Sequence, residues 1–134
     1  MVNPDVGREY LLNARLTNGN RSKKPARVLV AGAGPAGMAA ARQFALVGHE
    51  VSLCEQGPAS GGLLGLAAKA PGRGELGDIL AFFRRELVRL TVPVRYAKIL
   101  EKGSSARFHL IGDAKSPRHL MYCISEAEEL ALSL

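Results

Sequence analysis

The chain has 134 residues, of which 47% are hydrophobic and 22% charged, and it carries a formal net charge of +6. This length suits one domain that buries about two-thirds of its unfolded surface. No apolar run reaches the roughly 20 residues that cross a bilayer, and the polar start lacks a signal-peptide pattern, so no membrane partner is expected and the cytoplasm is the expected compartment. The positive charge invites a nucleic-acid reading, but only 5% of residues are aromatic and the basic residues are scattered. Apart from Arg21, Lys23, Lys24 and Arg27 they form no cluster, and that one reads as a solvated linker; no nucleic acid is expected.

Residues 1–25 are polar, and Asn18-Gly19-Asn20 and Pro25 predict an extended arm ahead of a domain over 26–134. The run Arg27-Val28-Leu29-Val30-Ala31 has no polar alternation within it and predicts a buried parallel strand. Gly32-Ala33-Gly34-Pro35-Ala36-Gly37 follows at once. In such a loop Gly32 makes the tight turn, Gly34 lets the backbone approach a pyrophosphate, and Gly37 lets helix and strand pack closely. Pro35 and Ala36 open a helix whose unpaired N–H groups and positive dipole end face the phosphates. That helix runs through good helix formers and stops at Gly48.

Val51-Ser52-Leu53-Cys54 predicts a second strand, and Glu55 stands at its end, 23 positions after Gly32. An acid at this place accepts hydrogen bonds from adenosine ribose hydroxyls and disfavours a 2′-phosphate. A glycine fingerprint alone is weak evidence; strand, helix, strand and acid around it identify a dinucleotide or ADP-containing ligand. Ser60-Gly61-Gly62-Leu63 reads by itself as loop punctuation. Leu76, Ile79, Leu80, Phe83, Leu87 and Leu90 recur at helical spacing, and Val92–Tyr96 predicts a further parallel strand reached by a crossover. Phe108–Ile111 predicts a last strand ending in Gly112-Asp113, followed by Ser116 as N-cap, Pro117, and a helix with Leu120, Ile124, Ala127, Ala131 and Leu134 on one stripe. Asp113 thereby lies where strand passes into helix, a place where open α/β sheets bind ligands.

No catalytic residue and no metal site are predicted. Cys54 and Cys123 lie 69 positions apart without a CxxC, and His49, His109 and His119 are dispersed. Arg73 and Arg84 read as solvated side chains or phosphate contacts.

Three blocks carry a family resemblance. Val2-Asn3-Pro4-Asp5-Val6-Gly7-Arg8-Glu9 resembles the segment after the last iron–sulfur cysteine in the 2,4-dienoyl-CoA reductase, trimethylamine dehydrogenase and old-yellow-enzyme-like NADH:flavin oxidoreductase family. The block from Lys24 to Arg95, with Gly61-Gly62 and Pro71-Gly72-Arg73, resembles the first nucleotide-binding half of the C-terminal flavin domain. Ile111-Gly112-Asp113-Ala114-Lys115-Ser116-Pro117-Arg118 resembles its closing motif. The resemblance implies an α/β fold: a Rossmann-like FAD/NAD(P)-binding domain with a mainly parallel sheet flanked by helices in three layers. It implies that Gly32, Gly34, Pro35, Ala36 and Gly37 hold the pyrophosphate and that Glu55, with Gln56 beside it, holds the adenosine ribose. Gly62 and Leu63 would line the passage toward the flavin, and Gly112 and Asp113 would bind near the pyrophosphate or ribityl chain. The implied cofactor is FAD, with ADP in the same pocket as the alternative.

Members of that family also carry a TIM barrel with FMN, a four-cysteine iron–sulfur site and an inserted NAD(P)H-binding domain; these are the implied partners. None is found in this sequence, and Glu101-Lys102-Gly103-Ser104-Ser105-Ala106 stands where the nicotinamide domain would enter. The expectation is an excised FAD-binding domain, with 101–106 as a short link, that passes electrons within a larger oxidoreductase and does not turn over alone. The contrasting expectation is an ADP-holding docking module without redox chemistry.

Overall fold

The computed structural model describes residues 24–96, 107, 109, 111–115 and 120–133. The arm up to residue 23, the 101–106 link and the Ser116–Pro117 helix start lie outside the described residues. Strand β1 (Arg27–Ala31) leads into helix α1 (Pro35–Leu46), β2 (Glu50–Cys54), a short helix α2 (Gly62–Ala67), α3 (Gly74–Arg89), β3 (Val94–Arg95), a 3-10 turn (Gly112–Ala114) and α4 (Leu120–Ser133). The sheet order is β1-β2-β3, all parallel, with Val30 opposite Leu53 and Leu53 opposite Val94. A parallel sheet flanked by helices is the Rossmann-like α/β fold expected from the alternation of patterns.

One face of the sheet makes the core. Val30, Val51 and Leu53 meet Met38 and Phe44 of α1 and Ile79, Leu80, Phe83 and Leu87 of α3. Truncating one of the large members to alanine costs about 2–5 kcal/mol in such a setting. Helix α4 packs mainly on α1, where Ala127 and Ala131 are buried and small enough to let the two backbones approach. The opposite sheet face behaves differently. Leu29 is 57% exposed, and Ala31 beside it is exposed as well.

Helix ends follow local chemistry. After α1 the His49 N–H donates to the Phe44 carbonyl and the Gly48 N–H to that of Ala45, with Gly48 at φ +94°. That is a Schellman ending, and the His49 ring packs edge-on against Phe44 as its apolar contact. Helix α3 ends by the same bonds, Val92 to Leu87 and Thr91 to Val88, but Thr91 holds the left-handed place at φ +55°. A β-branched residue is strained there. Arg42 ties α1 to α3 by donating to Glu86 at 2.9 Å while lying over the Phe82 ring.

Three expectations change. Residues 62–67, expected as loop, form helix α2. The third strand has two residues rather than five, since Pro93 has no N–H to give to a ladder. His109 and Ile111 belong to no strand; Ile111 is extended but joins no ladder among the described residues.

Candidate functional site

The carboxyl ends of β1 and β2 meet at the start of α1, and the loop between β1 and α1 is fastened from several sides. The Gly32 N–H donates to the Cys54 carbonyl at 2.7 Å, with Gly32 at φ +99°. The Ala33 N–H donates to Glu55 Oε2 at 2.6 Å, and the Gly57 N–H donates to Glu55 Oε1 at 2.8 Å. Glu55 therefore reaches back to the glycine loop from the end of β2. Each of its oxygens keeps a lone pair beyond the backbone bond it accepts, enough for a ribose hydroxyl. Gly37 shows why this loop sits so close to α1: a Cβ there would lie 3.0 Å from the Gly32 carbonyl carbon and closer still to its oxygen.

The start of α1 has the electrostatics of an anion site. Gly34 is the N-cap and offers no side chain to the helix, Pro35 occupies the first turn, and no acid lies in that turn. The Ala36 and Gly37 N–H groups have no intrahelical acceptor and lie at the dipole's positive end. A Cβ at Gly34 would meet nothing within 4 Å, so open space lies against the backbone where a phosphate would approach.

Two further glycine segments converge on this helix start. The Gly61 N–H donates to the Ala33 carbonyl at 2.7 Å, and Gly62 (φ +52°) comes so near that a Cβ on it would lie 3.6 Å from the Gly34 Cα. Gly112 (φ +62°) lies against Ala36, where a Cβ would stop 2.6 Å from the alanine methyl. The Gly112 N–H donates to Glu126 Oε2 at 2.9 Å, and Glu126 also pairs with Lys115. Segments 80 residues apart in sequence are thus brought to one helix end.

Of the residues singled out in the sequence, Gly32, Gly34, Pro35, Ala36, Gly37, Glu55, Gly62 and Gly112 gather here. Leu63 is 75% exposed at the edge of α2, and Gln56 is exposed beyond Glu55. The Asp113 backbone lies in the 3-10 turn next to Gly112; its side chain lies outside the described residues. His49 is structural: its Nδ1 accepts from the Ala26 N–H at 3.0 Å and the ring is buried. Arg84 is exposed on α3, as expected, and at the same time anchored. Its Nε donates to Ser60 Oγ and its second guanidinium nitrogen to the Ser60 carbonyl, each at 2.8 Å. Ser60 and Glu126 carried no signal in the sequence, because a bond between elements 24 or 14 positions apart leaves no periodic trace. No group of three or more potential metal ligands occurs among the described residues. Among the described residues the arrangement offers backbone donors to an anion and a carboxylate to hydroxyl groups.

No family model matches the chain. It is 43% identical over 105 residues to the N,N-dimethylglycine/sarcosine dehydrogenase of Chromohalobacter salexigens, covering 78% of this chain and 15% of that protein. It is 42% identical over 94 residues to the multifunctional alkene reductase/demethylase OYE of Caballeronia cordobensis, covering 70% and 14%. Among solved structures, a 2-naphthoyl-CoA reductase superposes with a TM-score of 0.62 at 31% identity, over 72% of this chain and 14% of that one. The chain spans about 15% of the length of the curated relatives it matches.

Proposed function

The chain belongs to the flavin oxidoreductase family, and from that premise we propose that its cleft holds FAD, gripping the ADP half. The observation that carries this reading is the start of α1, which has no side-chain cap among the described residues, framed by three glycine segments with the Glu55 carboxylate bound to the Ala33 N–H beside it. Ala36 and Gly37 would donate to the pyrophosphate, Gly34 and Gly62 would admit it to backbone contact, and Gly112-Asp113 would close over it. Leu63, exposed on α2, would face the ring end. FAD, when bound, supplies the redox chemistry; this chain binds, orients and partly shields it.

In the whole protein the proposed role is electron transfer between a nicotinamide and an iron–sulfur and FMN module, with those partner domains outside this chain. The 101–106 stretch is proposed as a short link replacing a nicotinamide-binding domain within the 26–134 unit. The test is the absorbance of the purified protein and mass analysis of the ligand released on denaturation. A flavin spectrum with FAD released is the expected outcome. ADP alone would defeat the redox role and leave an ADP-holding docking module.

A further inference from the structure

The second glycine turn, Ser60-Gly61-Gly62, forms a wall of the cleft, with Ser60 and Gly61 buried. On one side Gly61 rests against Leu80, where a Cβ would come within 2.9 Å of the leucine methyl. On the other side lies a cavity of about 330 Å³, bordered by Ser60, Leu53, Leu87, Val92 and Tyr96. Arg84 also borders this cavity, reaching from α3 to grip Ser60 twice, at the hydroxyl and at the carbonyl, each at 2.8 Å. A guanidinium presents two parallel donors in a rigid fork, so it fixes direction as well as distance. The turn then passes the constraint on, because the next peptide donates from Gly61 to the Ala33 carbonyl while the Ala33 N–H is held by Glu55.

We infer that Arg84 is the positioning residue of the nucleotide cleft: by gripping Ser60 it presses the Gly61-Gly62 turn onto the first glycine loop and so sets the gap between Gly62 and Gly34. The inference rests on the nucleotide reading for its functional consequence, but its structural content stands in the ligand-free protein. Arg84 touches no ligand in this scheme. Its effect is carried entirely by Ser60 and the Gly61 N–H.

The test uses the full chain with Arg84→Met, Arg84→Lys, Ser60→Ala and the Arg84→Met/Ser60→Ala double variant. Amide hydrogen exchange in the ligand-free protein should rise at least tenfold at the Gly61 N–H in Arg84→Met, while the Leu53 and Glu55 amides of the sheet keep their protection. Arg84→Lys should recover part of the protection, since an ammonium reaches one acceptor where the guanidinium reaches two. Ser60→Ala should do less than Arg84→Met, because the carbonyl bond survives, and should add nothing in the double variant. By calorimetry ADP should weaken about tenfold in Arg84→Met and AMP by less than about threefold, because the Gly62 wall faces the diphosphate. Unchanged Gly61 exchange, or a rise spread equally over β1 and β2, would overturn the inference. If the unmodified chain binds no nucleotide while Gly61 still responds, the nucleotide reading falls and the positioning role of Arg84 stands.

Discussion

Two glycines three positions apart in one loop are expected to fail in opposite ways when given a methyl group. At Gly37 a Cβ would lie 3.0 Å from the Gly32 carbonyl carbon, nearer to its oxygen, and 3.5 Å from a Val30 methyl. Relief needs the loop to move by about 1 Å, and overpacking of this kind costs about 1–3 kcal/mol or more. The loop has little room to yield, because Gly32 and Ala33 are both hydrogen-bonded to the end of β2. The gain in helix propensity from glycine to alanine, up to about 1 kcal/mol, offsets part of this. Gly37→Ala is therefore expected to lose about 1–2 kcal/mol net, a fall in Tm of about 4–10 °C for a domain of this size. Gly34 has φ −74° and ψ 179°, open to any residue, with nothing within 4 Å of an added Cβ. Gly34→Ala should stay within about 0.5–1 kcal/mol of the parent, as a poorer N-cap is balanced by a stiffer unfolded chain. Its methyl would stand where the phosphate approaches, so ADP affinity should fall by at least about tenfold. Urea unfolding and ADP calorimetry on both variants decide the matter. Parent-like stability in Gly37→Ala, or parent-like affinity in Gly34→Ala, would refute the division of labour.

Glu55→Ala should weaken ADP binding about tenfold and cost about 1 kcal/mol of stability as well, since the Ala33 and Gly57 N–H groups lose their acceptor; undiminished affinity by calorimetry would remove Glu55 from the site. The Arg89 guanidinium, helped by Arg42 and opposed by burial, holds the Glu86 carboxyl down at about 2 against an ordinary 4.5. A depressed folded value means that the carboxylate's stabilisation is fully present above about pH 4.5 and drains away as pH falls toward 2. Glu86→Gln should accordingly be less stable than the parent by about 1 kcal/mol near pH 6, discounting for the solvent around Arg89, and the gap should close on acidification. A gap of equal size at about pH 2.5 would contradict the ion-pair account.

The elements that were legible in the sequence are those whose signal is local. Gly32 is set by its own left-handed backbone and Gly37 by the Gly32 carbonyl five positions away, and the apolar spacing of α3 is a property of its own helix. Glu55 was legible because the strand–helix–strand unit fixes how many positions separate it from the loop. The Arg84–Ser60 bond was not legible, since it depends on how α3 crosses the sheet, which no spacing encodes. Helix α2 was hidden because Gly61 and Gly62 look like loop, whereas here they supply the left-handed backbone that starts a helix. Of the strand expected over Phe108–Ile111, Ile111 is extended and Phe108 and Leu110 lie outside the described residues.

Strand β1 pairs with β2 alone among the described residues, and it turns Leu29 and Ala31 toward water. Parallel sheets are ordinarily covered on both faces. Apolar side chains left on a sheet face are a surface that promotes association. The expected consequence for the chain handled alone is light scattering that grows with protein concentration.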